Sequence, residues 1–227
     1  MKTRIAPLLA LSLALAPALA RAETTATVDP AAITPADVPR GQPDYHAAGA
    51  GAYVLDPAHT AVIARVPHMN FSVSVFRFDT VSGSLQWNPE DPAASTLTAT
   101  VQAGSISNPY PGFAETLTGA DYLNVEAHPE ASFTATGFDA VSNTAGTVTG
   151  DLTIMGQTHP ATFDVTLIGA GEGYTGDEND LPILAHLIGM HAETTIDPQA
   201  YGLNAFFTDP IEIQIDAEFA RKPAPKS

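Results

Sequence analysis

The chain of 227 residues has no cysteine. Disulfides and thiolate chemistry are therefore excluded, and a packed core must hold the fold. Basic residues are scarce, with 9 Lys and Arg against 25 Asp and Glu for a net charge of −16. A chain so acidic is a poor partner for nucleic acid or anionic headgroups, because phosphate binding needs Lys and Arg. Tryptophan occurs once and tyrosine six times, too few to furnish the two aromatic girdles of an outer-membrane barrel. There is no nucleophile elbow, no phosphate-cradling glycine loop and no paired zinc motif. No catalytic or metal-binding residue is assigned, and no enzymatic activity is expected.

Long apolar runs are also missing, except at the start. Lys2 and Arg4 precede an apolar run from Ile5 to Leu19, and Ala20-Arg21-Ala22 supplies a small-x-small cleavage site. Residues 1–22 are expected to be a signal peptide, which would place the mature protein in the periplasm or outside the cell. The run falls short of the ~20 residues that span a bilayer, so stable membrane insertion is not expected. Losing Lys2, Arg4 and Arg21 with the leader would take the basic count from 9 to 6 against 25 acidic residues, or −19.

Residues 23–50 are rich in Ala, Pro, Thr and Asp without periodicity and are expected to form a flexible linker. Residues 221–227 are expected to be a disordered tail. The domain between them, 51–220, consists of short alternating runs. Tyr53–Leu55 and His59–Val66 suggest a strand broken at Asp56-Pro57. Phe71–Thr80 and Val81–Asn88 suggest a hairpin. Thr96–Ala103, Ala131–Val141 and a run near His191–Ile196 add further strands. Residues 148–167 form a hairpin broken near Gly156, with Val148, Leu152, Ile154, Ala161, Phe163, Val165 and Leu167 on one face. Ile211, Ile213, Ile215 and Phe219 alternate with acidic and amide residues in the last strand. About eight strands with short turns predict an all-β fold, an antiparallel barrel or sandwich. Two stretches break the rhythm and suggest short helices: Phe113–Asn124, and Asp180–Gly189 with Asp180 as its cap. The apolar residues Leu181–Ile188 make the second a candidate lid or portal.

Several runs are shorter than the ~9–11 residues that cross a bilayer at a tilt, which places the apolar faces inside a barrel rather than against lipid. Many inward positions are small (Ala61, Ala64, Ala99, Ala103, Ala131, Ala135, Ala161, Ala217), leaving volume that larger residues would fill. Composition alone leaves open whether Trp87, Phe71, Phe133 and Phe163 plug that space. The candidate ligand contacts are Val66, Phe71, Val75, Leu85, Trp87, Val101, Phe133, Leu152, Ile154, Phe163, Val165, Ile213 and Ile215. His59, His68 and Asp121 are candidate polar groups of the pocket or its mouth. His59 with His68, and His186 with His191, are spaced as metal half-sites, but hydrogen-bonded or solvated roles are the simpler reading. An uncovered edge between the terminal strands would let two copies pair as a homodimer.

In order along the chain stand Tyr53-Val54-Leu55-Asp56-Pro57-Ala58-His59-Thr60 with His68, Phe76-Arg77-Phe78, and Val81-Ser82-Gly83. They are followed by Ala120-Asp121-Tyr122-Leu123-Asn124, His128-Pro129-Glu130-Ala131-Ser132-Phe133, Gly150-Asp151-Leu152-Thr153-Ile154-Met155-Gly156, and Tyr201-Gly202-Leu203. This succession, over about residues 52–219, resembles the YceI-like family of secreted proteins. The resemblance implies a lipocalin-like barrel holding a long isoprenoid or fatty chain, with no catalytic machinery and no cofactor beyond such a lipid. Family members usually carry Arg-Asp where this chain has Phe113-Ala114, and Arg where it has Pro198. Without those cations the resemblance favours a neutral ligand, such as a quinone or fatty amide, over a prenyl phosphate; loss of the ligand is the other reading. The expected function is thus sequestration and carriage of an apolar molecule. The alternatives are a stress-related or protein-interaction barrel with a filled interior, and a hydrolase with a carboxylate or His cluster deep in the pocket.

Overall fold

Ile211, Ile213 and Ile215 alternate with Glu212, Gln214 and Asp216, and the strand they form organises the wall. In the computed structural model, which describes residues 34, 36, 38–176, 179 and 181–222, it is the last of eleven strands. These are β1 (Gly51–Leu55), β2 (Ala61–His68), β3 (Ser72–Phe78), β4 (Val81–Trp87), β5 (Thr96–Gln102), β6 (Ile106–Ser107), β7 (Glu130–Ala140), β8 (Ala145–Ile154), β9 (Gln157–Gly176), β10 (Pro182–Ile196) and β11 (Ile211–Arg221), with one helix, α1 (Phe113–Thr118). Residues 1–22, expected to be a signal peptide, Asp180, expected as a helix cap, and residues 223–227 lie outside the described residues, as does most of the segment from 23 to 37. Among the described residues no helix is long and apolar enough to cross a membrane.

One edge of β11 pairs with β10 from Ile196↔Ile211 to His186↔Arg221. Its other edge is shared, β1 meeting it at Leu55↔Phe219 and β2 at Arg65↔Glu212. β1 and β2 are therefore two halves of one wall strand. The break is local chemistry: Pro57 fixes its own φ, and the Asp56 carboxylate accepts the Ala58 N–H at 2.9 Å, closing a 3-10 turn over Pro57–His59. β3 and β4 are likewise halves of the next strand, bent at Asp79-Thr80, where Asp79 and Thr80 donate to the carbonyl and hydroxyl of Ser105. The predicted hairpin between them is not formed, since β3 pairs with β2 and β4 with β1. β5 and β6 complete the set of split strands, pairing with β4 and β3. Eight strand paths result, all antiparallel and closed on themselves. Because the first and last paths pair with each other, the free edge expected to support a homodimer is consumed inside the barrel.

Inside, two clusters stack along the barrel. Phe76, Phe133, Phe163, Leu152 and Ile211 belong to one, and Tyr53, Leu85, Ile188 and Phe219 to the other. Phe133 and Phe163 meet edge to face at 5.0 Å. Gly150 makes room for that pair, because a Cβ there would lie 2.5 Å from Phe133 Cζ. The β8–β9 hairpin turns at Met155 and Gly156, both in the left-handed region (φ 49° and 74°), with the break one residue earlier than the alternation suggested.

Three expectations are corrected. Residues 182–189 are not a helix: they open β10, paired with β9 and, from His186, with β11, because backbone pairing on both sides overrides an apolar run of ambiguous period. The end of the predicted linker docks on the barrel, where Gln42 bridges Ala170, and Ala48 is 0% exposed. Arg221, placed in the tail by composition, is the last residue of β11.

Candidate functional site

A strand puts every second side chain indoors, so the closed wall surrounds a space whose character is set by one face of each strand. The larger of two apolar cavities in the barrel has about 1400 Å³ of empty space, its open mouth included. Its wall is almost wholly apolar. Val66, Val101, Phe133, Leu152, Ile154, Phe163, Ile213 and Ile215 line it, as expected from their alternation, together with Ala64, Ala99, Ala103 and Ala131. The small residues leave a hollow beside Phe133 and Phe163.

The remaining candidates fall elsewhere. Phe71 and Val75 are exposed outside the barrel. On β3 it is Phe76 and Phe78 that share the inward face, so period-two alternation turns Val73 and Val75 outward. Leu85, Trp87 and Val165 line a second, smaller cavity at the opposite end, with about 690 Å³ of empty space including its opening. Tyr45, Phe138 and Met190 complete its wall, and no residue lines both cavities. The run Leu181–Ile188 also belongs to this far end and cannot gate the larger mouth; only Ile188 reaches a cavity.

The mouth is built by residues without periodicity. Leu117 on α1, Tyr122, Leu123, His128, Met155, Leu203 and Phe207 reach the larger cavity from the connections at one end of the barrel. None stands out in a strand pattern, although FAETLTGADYL shows apolar spacing. Tyr122 and Phe207 meet edge to face at 6.2 Å. Both positions where the resemblance implies a cation are apolar: Phe113 packs edge-on against the lining Phe76 at 5.3 Å, and Pro198 is fully buried.

Neither candidate histidine nor Asp121 lines either cavity. His59 sits on the outer surface at the β1–β2 break, with Nδ1 at 3.1 Å from Asp56 Oδ2 and 3.9 Å from Glu218 Oε1. Asp56 also accepts from Thr175 Oγ1 at 3.4 Å. Asp56, His59 and Glu218 are close enough together to hold a metal ion. Both carboxylate oxygens of Asp56 already accept hydrogen bonds, and its N–H donates to the Glu218 carbonyl at 2.8 Å, which makes the group a hydrogen-bonded clasp across β1, β9 and β11. Burial pushes the Asp56 carboxyl up, but His59, the Ala58 N–H and Thr175 outweigh it and hold it below the usual range. The bond to Asp56 raises His59, and burial raises Glu218. His68 lies at the far end of β2, ~25 Å away at 3.3 Å per residue, so the two histidines cannot share a ligand. Asp121 is exposed, and its carbonyl accepts from Asn204 Nδ2 at 2.9 Å. His186 and His191 occupy opposite faces of β10, and His191 bonds Asp216 at 2.8 Å.

The YceI-like domain model matches residues 53–219, which is most of the chain and all eleven strands but the ends of the first and last. The chain belongs to the YceI-like family. A UPF0312 protein of Pseudomonas putida is 28% identical over 145 residues, covering 64% of this YceI-like chain and 71% of its relative. A UPF0312 protein of Shewanella baltica is 29% identical over 140 residues, covering 57% and 73%. Among solved structures, Burkholderia cenocepacia BcnA superposes with a TM-score of 0.62 at 19% identity, over 72% of this chain and 98% of that one. The Campylobacter jejuni YCEI protein gives 0.56 at 19% identity over 70% and 91%. A polyisoprenoid binding domain from Saccharophagus degradans gives 0.56 at 11% identity over 77% and 100%. At these identities the structural likeness establishes the shared barrel.

Proposed function

We propose that this YceI-like protein is a periplasmic or secreted carrier that sequesters a long apolar molecule, of isoprenoid, quinone or fatty-chain type, inside the barrel. The observation that carries the reading is the larger cavity: an open-mouthed hollow walled by Val66, Phe76, Phe133, Leu152, Ile213 and their neighbours. The polyisoprenoid binding domain with the same fold supports that chemical class. Phe113 and Pro198 in place of cations favour a neutral head. Burying a CH₂ is worth ~0.8 kcal/mol, so one five-carbon unit offers about 3–4 kcal/mol before the cost of ordering it. Few units are needed for tight binding, and the practical ceiling of about 18–21 kcal/mol is soon reached. Selectivity then rests on cavity length and shape. The reading requires no chemistry at the ligand and assigns no catalytic residue.

The test is organic extraction of natively purified protein followed by mass spectrometry. A stoichiometric apolar molecule is the expected result. A clean extract from protein that also fails to bind added isoprenoid, quinone and fatty probes would overturn it.

A further inference from the structure

The end of the barrel that opens into the larger cavity also carries the most solvent-exposed aromatic side chains of the described residues. Phe206 is 91% exposed, Phe71 86% and Tyr110 72%, with the aliphatic Met69 beside Phe71 at 66%. They sit on three connections around one mouth: the β10–β11 loop, the β2–β3 turn and the segment after β6. Local bonds fix all three. Met69 and Asn70 adopt left-handed backbone (φ 49° and 60°), and the Phe71 N–H donates to the His68 carbonyl at 2.9 Å. Asn108 Nδ2 donates to the Val75 carbonyl at 2.8 Å while its Oδ1 accepts the Tyr110 N–H at 2.9 Å. In the third loop, Asn204 Oδ1 accepts the Phe206 N–H at 3.0 Å and Gln199 Nε2 donates to the Phe207 carbonyl at 2.8 Å. That turn sends Phe207 into the cavity and its neighbour Phe206 into solvent.

We propose that this rim is a docking surface for the headgroup–acyl boundary of a lipid bilayer, through which the cavity loads and unloads; it rests on the apolar-ligand reading above. A molecule that gains ~0.8 kcal/mol per buried CH₂ loses the same amount per CH₂ on passing through water, so free diffusion from membrane to cavity is slow. Contact between the mouth and the phase that holds the ligand removes that step. Rings at the tips of turns suit the interfacial zone, where aromatic side chains concentrate. Charge narrows the choice of surface. Arg65 and Arg77, the arginines of β2 and β3, are paired with Glu212 at 3.2 Å and Asp79 at 2.9 Å. On so acidic a chain, paired arginines offer little attraction for anionic lipid, so the matching surface is zwitterionic and the contact is apolar.

The experiment uses the mature chain, phosphatidylcholine vesicles and a fluorescent fatty-amide analogue, whose head is uncharged. Vesicle flotation and the rate of probe transfer are compared for the wild type and for Phe71→Ser/Phe206→Ser. Both substituted residues lie outside the cavities, so probe affinity in vesicle-free buffer should change less than twofold. Flotation should fall about tenfold. The wild-type transfer rate should rise with vesicle concentration, and the variant's should not. High salt should leave wild-type flotation unchanged. A wild-type transfer rate independent of vesicle concentration, or flotation untouched by the substitutions, would overturn the docking surface while leaving the container reading intact. A rim that binds a purified protein but never vesicles would overturn it as well. Failure of the probe to bind in plain buffer, with flotation retained, would count against the container and not against docking.

Discussion

His59 is 63% exposed, yet its ring is held between two carboxylates, and that makes its protonation a reporter on the β1–β2 break. Its folded-state pKa is raised from 6.5 chiefly by the bond to Asp56. Stability from this group is therefore fully present below its unfolded value and fades as pH rises through the raised folded one. Asp56 has the opposite sign: its pKa is lowered from 3.8, so its contribution is present above that value and is lost as pH falls through the folded one. The clasp should thus stabilise most between the two ordinary values, and weakly, because solvent screens so exposed a ring. Glu218 subtracts from it above 4.5, since burial raises that carboxyl. In Asp56→Asn the His59 midpoint, followed by NMR, should drop toward 6.5. An unchanged midpoint would mean that the short distance carries no energy.

At the scale of elements, alternation read well wherever a strand is half wet. β8, the first half of β9 and β11 are legible because polar and apolar residues take turns along most of their length. β10 is not: Leu181–Ile188 is apolar nearly all round, and such a run has no diagnostic period. On β3 alternation does not separate the two faces, because Val75 and Phe76 are adjacent and both apolar. The mouth was illegible because Leu203, Phe207 and Tyr122 act from loops whose positions only the folded wall determines. The docked segment before β1 was hidden by its disorder-like composition. It adheres through the Gln42–Ala170 bridge, the Tyr45 N–H donating to the Asn143 carbonyl at 3.2 Å, Tyr53 OH donating to the Gly49 carbonyl at 2.6 Å, Tyr45 edge-on to Trp87 at 5.8 Å, and the fully buried Ala48. Because Trp87 is the only tryptophan, the segment can be watched by fluorescence. Tyr45→Ala should cost about 1–2 kcal/mol and shift Trp87 emission to the red as water reaches the smaller cavity. Unchanged emission would show that the segment does not cover that end.

For the whole molecule, the same residues are asked to be a core and a container, and the two demands conflict. A filled interior would give up no dispersion contacts, whereas the hollow lined by Ala99, Ala103 and Ala131 leaves wall atoms without partners. A guest restores those contacts, so ligand and fold are coupled by mass action. At 100 times its dissociation constant a ligand that binds only the folded state adds ~2.7 kcal/mol, about 5–11 °C in Tm for a domain of this size. Delipidated protein should therefore melt that much lower than loaded protein. Ala131→Phe places a ring in the void, where the 1–3 kcal/mol strain of overpacking a full core does not arise. Its ligand-free Tm should match or exceed that of the wild type, and added apolar ligand should no longer raise it. A variant that keeps the full ligand-dependent shift would place the bound chain outside this cavity, and a variant that simply melts early would show that the hollow closes in the absence of a guest.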